Sequence, residues 1–183
     1  MLVLASASPR RQELLRNAGI DFVVQPAHVN EDQLPNEAPL DYVSRLARDK
    51  ARAVFKPGAW VLGADTTVVV DNQLLAKPAG AADAARMLRL LSGRTHEVIT
   101  GVHLLGPNTD DGRTETTRVT FDRLTEPEIQ MYIAHGEPMD KAGAYAIQGI
   151  ASRWITRLEG CYFNVVGLPV PLVYRMLRRH GAL

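Results

Sequence analysis

A single cysteine, Cys161, in a chain of 183 residues leaves no partner for an internal disulfide and no ligand set for a multi-cysteine zinc site. That scarcity favours a reducing compartment. No stretch approaches the ~18 consecutive apolar residues of a membrane-spanning helix. Charge of one sign is missing too: 21 Lys and Arg face 20 Asp and Glu, for a net charge of +1. This balance excludes a generally basic nucleic-acid coat or a polybasic membrane binder and leaves room only for a local patch. With 14 glycines and 11 prolines, neither a collagen-like nor a linker-rich chain fits. Repeats, charge blocks and low-complexity tracts are absent. Met1–Ala7 ends like a signal-peptide cleavage site, but it has no basic n-region, and its apolar run is far short of the ~7–15 residues required. The expected location is the cytoplasm.

What is present is an ordinary globular composition, 46% hydrophobic and 22% charged. A chain of this length can bury roughly 70% of its unfolded surface, enough for a core without staples. No linker divides it, so one domain over residues 1–183 is expected. Strand and helix patterns alternate. Leu2–Ala5 reads as a short strand, and Ser8-Pro9 opens a helix as N-cap and first residue, with Gly19 as its stop. Phe22–Val24 reads as a strand, Leu40–Phe55 as an amphipathic helix, and Trp60–Val70 as a β-branched strand turning at Asp71-Asn72 into Leu74-Leu75. Ala81–Leu91 is a helix ended by Ser92-Gly93. The strands His96–Leu105 and Arg113–Leu124 follow, joined by the turn-rich Gly106–Gly112. A helix over Glu126–Ala134, a strand over Trp154–Leu158 and a closing helix over Pro169–His180 complete an α/β pattern with a mixed sheet.

Three places look chemical. Ser8-Pro9-Arg10-Arg11 sets two arginines in the first turn of a helix, the end whose dipole and exposed N–H groups favour anions. A phosphate would compensate them; on these four residues alone, solvated arginines beside an ordinary N-cap stand equally open. Asp65, in Gly63-Ala-Asp-Thr-Thr67, puts a carboxylate halfway along an apolar strand, where it must be paired, hydrogen-bonded or metal-bound. Such carboxylates are candidate bases or ligands, although a backbone-bonded Asp is the commoner outcome. Lys50, Lys77 and Lys141 are ordinary surface lysines when taken singly. The segment Asp140–Gly149, however, combines two glycines that permit close backbone approach with Gln148, which can both donate and accept. The chain has no Walker A, G-x-G-x-x-G, H-E-x-x-H or G-x-S-x-G motif. His96 and His103 face opposite sides of one strand and cannot share a metal, so the histidines read as structural or surface. Cys161 reads as a small buried hydrophobe.

Taken together, Leu4-Ala-Ser-Ala-Ser-Pro-Arg-Arg11, Leu14-Leu15, Arg45–Ala51, Gly63–Thr66, Lys77-Pro78, Leu91-Ser-Gly93, Asp140–Gly149 and Asn164–Pro169 resemble the Maf family of nucleotide pyrophosphatases, in order along nearly the whole chain. The resemblance implies an elongated α/β fold, with a twisted mixed sheet and two lobes around a central cleft. It implies hydrolysis of a nucleoside triphosphate to the monophosphate and pyrophosphate with a divalent metal, Mg²⁺ or Mn²⁺. It further implies that Ser8, Arg10 and Arg11 bind phosphate, that Lys50 and Lys77 are cleft lysines, that Asp65 accepts the proton, and that Glu31 joins Asp65 on the metal. Glu31 sits in the loosely matching Val29–Gln33. Phosphoryl chemistry suits the set, since cationic groups stabilise charge on the phosphate oxygens while a carboxylate takes the proton of water. The segments Asp140–Gly149 and Gly63–Thr66 resemble the branch acting on dTTP and UTP. The branch acting on 7-methyl-GTP carries Cys-Ala-Gly and Glu-Gly where this chain has Lys-Ala-Gly and Gln148-Gly149. Gly160-Cys161 replaces a Gly-Ser common there. Thr66 and Gln148 would then read the base. A homodimer is implied, and nucleic acid is not expected as a partner. The family is also associated with septum inhibition, so the alternative functions are a nucleotide-sensing regulator of cell division or a pyrophosphatase of the 7-methyl-GTP branch.

Overall fold

Helix α1 (Pro9–Asn17) begins where the sequence places it: Ser8 is the N-cap, its hydroxyl accepting from the Arg11 N–H, and Pro9 fills the first turn, where no intrahelical donor is needed. Gly19, at φ +68°, ends it in the left-handed region that favours glycine. The computed structural model describes residues 1–183. Around α1 lie β1 (Leu2–Leu4) and β2 (Phe22–Val24), then α2 (Pro39–Val54), β3 (Trp60–Val70), β4 (Gln73–Leu75) and α3 (Ala81–Leu91). They are followed by β5 (Thr95–Gly106), β6 (Thr109–Phe121), α4 (Glu126–His135), β7 (Ile155–Glu159), α5 (Tyr162–Val166) and α6 (Val170–His180). The sheet is mixed, as expected. Its strand order is β2-β1-β3-β5-β6-β7 with β4 beside β3; β1 runs parallel to β2 and β3, whereas β4 and β7 are antiparallel to their neighbours. No helix is long and apolar enough to cross a membrane.

The chain divides into two compact units that interleave in sequence. The first comprises Met1–Thr66, Thr100–Glu115 and Gly167–Leu183; the second comprises Thr67–Ile99 and Thr116–Val166. In the first, Val54 and Ala51 of α2 pack on Ala5, Val61 and Leu105. Two glycines bring this helix unusually close to the strands. A Cβ on Gly63 would strike the Ala47 carbonyl and the Ala51 amide, and one on Gly101 would strike the Val43 carbonyl. The backbones touch there because nothing stands between them.

The turn expected over Gly106–Gly112 is far shorter in the structure. β6 begins at Thr109, and the polar Asp110 and Asp111 are strand residues with charged or imidazole partners: Asp110 has His103 (2.7 Å) and Arg52 (3.2 Å), and Asp111 has His180 (3.0 Å) and Arg113 (2.8 Å). Cys161 is only half-buried, its backbone N–H and carbonyl both engaged by the Thr117 hydroxyl.

The second unit has its own core, built from Val68, Leu75, Leu88, Leu91, Phe121, Ile129, Tyr132 and Trp154. His96 is buried within it, edge-on to Phe121 and Tyr145, and its Nε2 lies 2.8 Å from the Tyr145 hydroxyl. Burial pushes this imidazole down from the ordinary 6.5 to about 4. The unfolded chain therefore takes up a proton that the folded chain refuses. The stabilisation is complete above the unfolded value and is lost as pH falls from there toward the folded one. Between about pH 7.5 and about pH 5 the loss amounts to about 2 kcal/mol. Urea denaturation at both pH values checks this: His96→Gln should lack that pH-dependent part, and equal acid sensitivity in the two chains would show His96 charging freely in the fold.

Candidate active site

Strand alternation carries Gly63 and Asp65 to the side of β3 that meets α2 and turns Thr66 away from it. On α2, residues four apart share a stripe, so Tyr42, Leu46 and Lys50 line up along the buried face. Because the Gly63 contact seats the helix against the strand, the Lys50 ammonium reaches the Asp65 carboxylate at 2.8 Å. Both residues are 8% exposed. Glu31 supplies a second carboxylate to the same ammonium at 2.6 Å, from the more exposed side. Two carboxylates thus converge on one positive centre.

The segment bearing Glu31 has no regular structure and is strapped to α2 instead. The Tyr42 hydroxyl donates to the Glu31 carbonyl (2.9 Å), and Arg45 donates to the Asp32 carbonyl (3.0 Å) while pairing with the Glu37 carboxylate (2.5 Å). Glu37 in turn accepts from the Leu34 N–H (3.0 Å), and the Arg45 ion pair holds its carboxyl below the usual range. Burial, with the nearby charges of Asp65 and Glu31, pushes Tyr42 up to about 12, so its hydroxyl stays a donor.

On the other side of β3, Arg11 is buried (9% exposed) and donates to three neutral oxygens: the Gly167 carbonyl (2.8 Å), the Ser6 hydroxyl (3.1 Å) and the Thr66 hydroxyl (3.1 Å). Burial lowers the affinity of this guanidinium for its proton; the charge of Asp65 opposes that effect, Arg10 adds to it and Glu31 opposes it. A buried cation whose contacts are all neutral is arranged for an anion. Ser8 caps the helix below it, and Arg10 lies half-buried in the same turn. Thr66 has partners besides Arg11. Its hydroxyl also meets Thr100 (2.9 Å) and the Gly167 carbonyl (3.2 Å), which locks the Arg11 guanidinium in place.

The first unit therefore gathers Ser8, Arg10, Arg11, Glu31, Lys50, Asp65 and Thr66. Lys77 and Gln148 belong to the second unit, both exposed on loops. There the Gly143 N–H donates to the Ala76 carbonyl (3.2 Å), tying the Asp140–Gly149 segment to the residue that precedes Lys77. Lys141 turns inward to the Glu137 carbonyl (2.8 Å) and to Asp140 (2.6 Å). Sequence reasoning missed Ser6, Tyr42, Thr100 and Gly167. Ser6 and Gly167 lie within the matching segments Leu4–Arg11 and Asn164–Pro169 without standing out there, Tyr42 is eight residues from Lys50 on the amphipathic helix, and Thr100 left no signal.

Glu31 and Asp65 are the residues that could hold a divalent metal. Both are hard oxygen donors, they already converge on a cation, and no histidine or cysteine joins them. Two carboxylates with water and phosphate oxygens suit a magnesium-type ion.

The chain matches the family of Maf-like proteins over residues 1–180. It is 62% identical over 184 residues to the dTTP/UTP pyrophosphatase of Koribacter versatilis, an alignment covering 100% of this chain and 95% of that one. The dTTP/UTP pyrophosphatase of Geobacter sulfurreducens is 51% identical over 186 residues, covering 100% and 97% of the two chains. That of Symbiobacterium thermophilum is 52% identical over 182 residues, covering 98% and 94%. The chain belongs to the Maf-like protein family.

Proposed function

We infer that this chain is a nucleoside triphosphate pyrophosphatase that hydrolyses dTTP and UTP to the monophosphate and pyrophosphate. The observation that carries the chemistry is the Glu31–Lys50–Asp65 cluster beside a buried, neutrally bonded Arg11. The choice of substrate is supported by full-length relatives named for dTTP and UTP.

Triphosphate oxygens are held by Arg11, Arg10 and the cap of α1. Asp65 accepts the proton of the attacking water, and Lys50 balances the negative charge of the two carboxylates. A divalent ion bound by Glu31 and Asp65 would supply Lewis-acid stabilisation of charge developing on phosphate oxygens. Gln148 presents both a donor and an acceptor, which suits the N3–H and carbonyl edge shared by uracil and thymine. A mismatched edge leaves buried polar groups unpaired at ~1–3 kcal/mol each.

The test is kcat/KM across the triphosphate panel, with Mg²⁺ and with chelator. dTTP and UTP are expected to lead CTP, ATP and GTP by ~10-fold or more. Gln148→Glu should narrow that lead, because an ionised Glu cannot donate. Purine triphosphates hydrolysed as well as dTTP would overturn the pyrimidine reading, and full activity in chelator would overturn the metal.

A further inference from the structure

Gln148 is an exposed side chain on an irregular loop, and discrimination between base edges demands a donor and acceptor held to within ~0.5 Å. Something must hold the loop. The Gly149 N–H donates to the Ala146 carbonyl (3.2 Å), so Ala146–Gly149 is a tight turn with Gln148 at its third position. Both flanks of this turn end on one hydrogen-bonded chain. The Ala146 N–H donates to the Tyr132 hydroxyl (3.2 Å), which donates to Glu137 Oε1 (2.7 Å), while the Ile150 N–H donates to Glu137 Oε2 (3.2 Å).

The brace is itself anchored. Tyr132 is buried on α4, its ring edge-on to Trp154 at 5.3 Å, and the Trp154 indole N–H donates to Glu128 at 3.1 Å. Burial, and then the Glu137 hydrogen bond, push the Tyr132 phenol well above its usual range, which keeps it a donor. Glu137 lies flat against Gly149, and a Cβ there would strike its carboxylate. A side chain at position 149 would push the carboxylate off its two partners, while the φ of −102° is itself open to any residue. A half-buried carboxylate bonded through its oxygens to a phenol and a backbone amide, rather than to a surface cation, is an expensive way to fix a turn.

We propose that Tyr132 and Glu137 are positioning residues for base selection: they clamp the two flanks of the Ala146–Ile150 turn and so aim Gln148 at the pyrimidine edge. This rests on Gln148 reading the base, and the experiment separates the two claims. Tyr132→Phe keeps the ring packing and removes only the link. Its kcat/KM for dTTP should fall ~10-fold relative to CTP, mostly through KM, with kcat for dTTP within about twofold of wild type. Glu137→Gln should act alike: with its amide oxygen toward the Ile150 N–H, its NH₂ meets the Tyr132 hydroxyl, which then has no acceptor for its own proton.

Gln148→Ala is the control for the underlying reading. If it leaves the dTTP:CTP ratio unchanged, base reading by Gln148 fails, and the proposal with it. If Gln148→Ala lowers the ratio and neither Tyr132→Phe nor Glu137→Gln does, the brace alone is overturned. Added to Gln148→Ala, Tyr132→Phe should change the ratio no further; an equal further loss, or a parallel fall for dTTP and CTP, marks a merely structural role and overturns it. Should both brace variants fail to fold, wild-type amide exchange decides. The Ala146 and Ile150 protons should be protected, and rapid exchange at both would remove the clamp.

Discussion

Asp65→Asn should lower kcat for dTTP by ~10²-fold or more while the chain stays folded. Asparagine has the shape of aspartate, and its side-chain oxygen can still accept from Lys50, now at 2.8 Å from the carboxylate. What disappears is the basic oxygen and one negative charge. Lys50 keeps Glu31 at 2.6 Å, so the buried ammonium is not left without a counter-charge, and the thermal midpoint should move only slightly. Initial rates at saturating nucleotide, paired with a melting curve, decide the matter. Near-normal turnover at an unchanged midpoint would remove Asp65 from the reaction.

The second large effect concerns two adjacent arginines. Arg10→Ala and Arg11→Ala should each reduce kcat/KM by ~1–3 kcal/mol, the size of charge-assisted phosphate contacts. Arg11→Ala should also destabilise the fold, by about 2 kcal/mol, because the Ser6 and Thr66 hydroxyls and the Gly167 carbonyl lose a buried donor. Arg11→Lys should not restore either property, since a single ammonium cannot span three acceptors set around a planar fork. Chemical denaturation alongside kinetics at limiting substrate tests this. Wild-type stability in Arg11→Ala would show that the cage around Arg11 does not support the fold.

Those arginines also show where sequence reading stops. Ser8, Pro9 and Gly19 announce α1 because caps and stops are local, and β3 announces itself through its β-branched run. Asp110 and Asp111 read as a turn because their composition is that of a turn, whereas in the structure they belong to β6 beside β5, with Asp111 reaching His180, 69 positions away. The short 3-10 turns between Glu137 and Trp154 have no period to detect. In the site, Asp65 stood out as a carboxylate in apolar company, while two arginines at a helix start left a phosphate and solvated side chains equally open, and only the family resemblance favoured the phosphate. The partnership of Lys50 with Glu31 and Asp65 depends on how α2 sits on the sheet, which no local pattern encodes. Nor could composition reveal the interleaved units, because β3, β5 and β6 pass from one to the other without a linker.

The bare backbones at Gly63 and Gly101 act as a gauge. A lysine has a fixed reach, so the seating depth of α2 decides whether Lys50 arrives at Asp65 or stops short. One methyl group at position 63 would leave every charged and hydrogen-bonding group of the site intact and still widen the gap. Inactivating alleles should therefore arise at residues that carry no chemistry at all, with Gly63→Ala the first expected case.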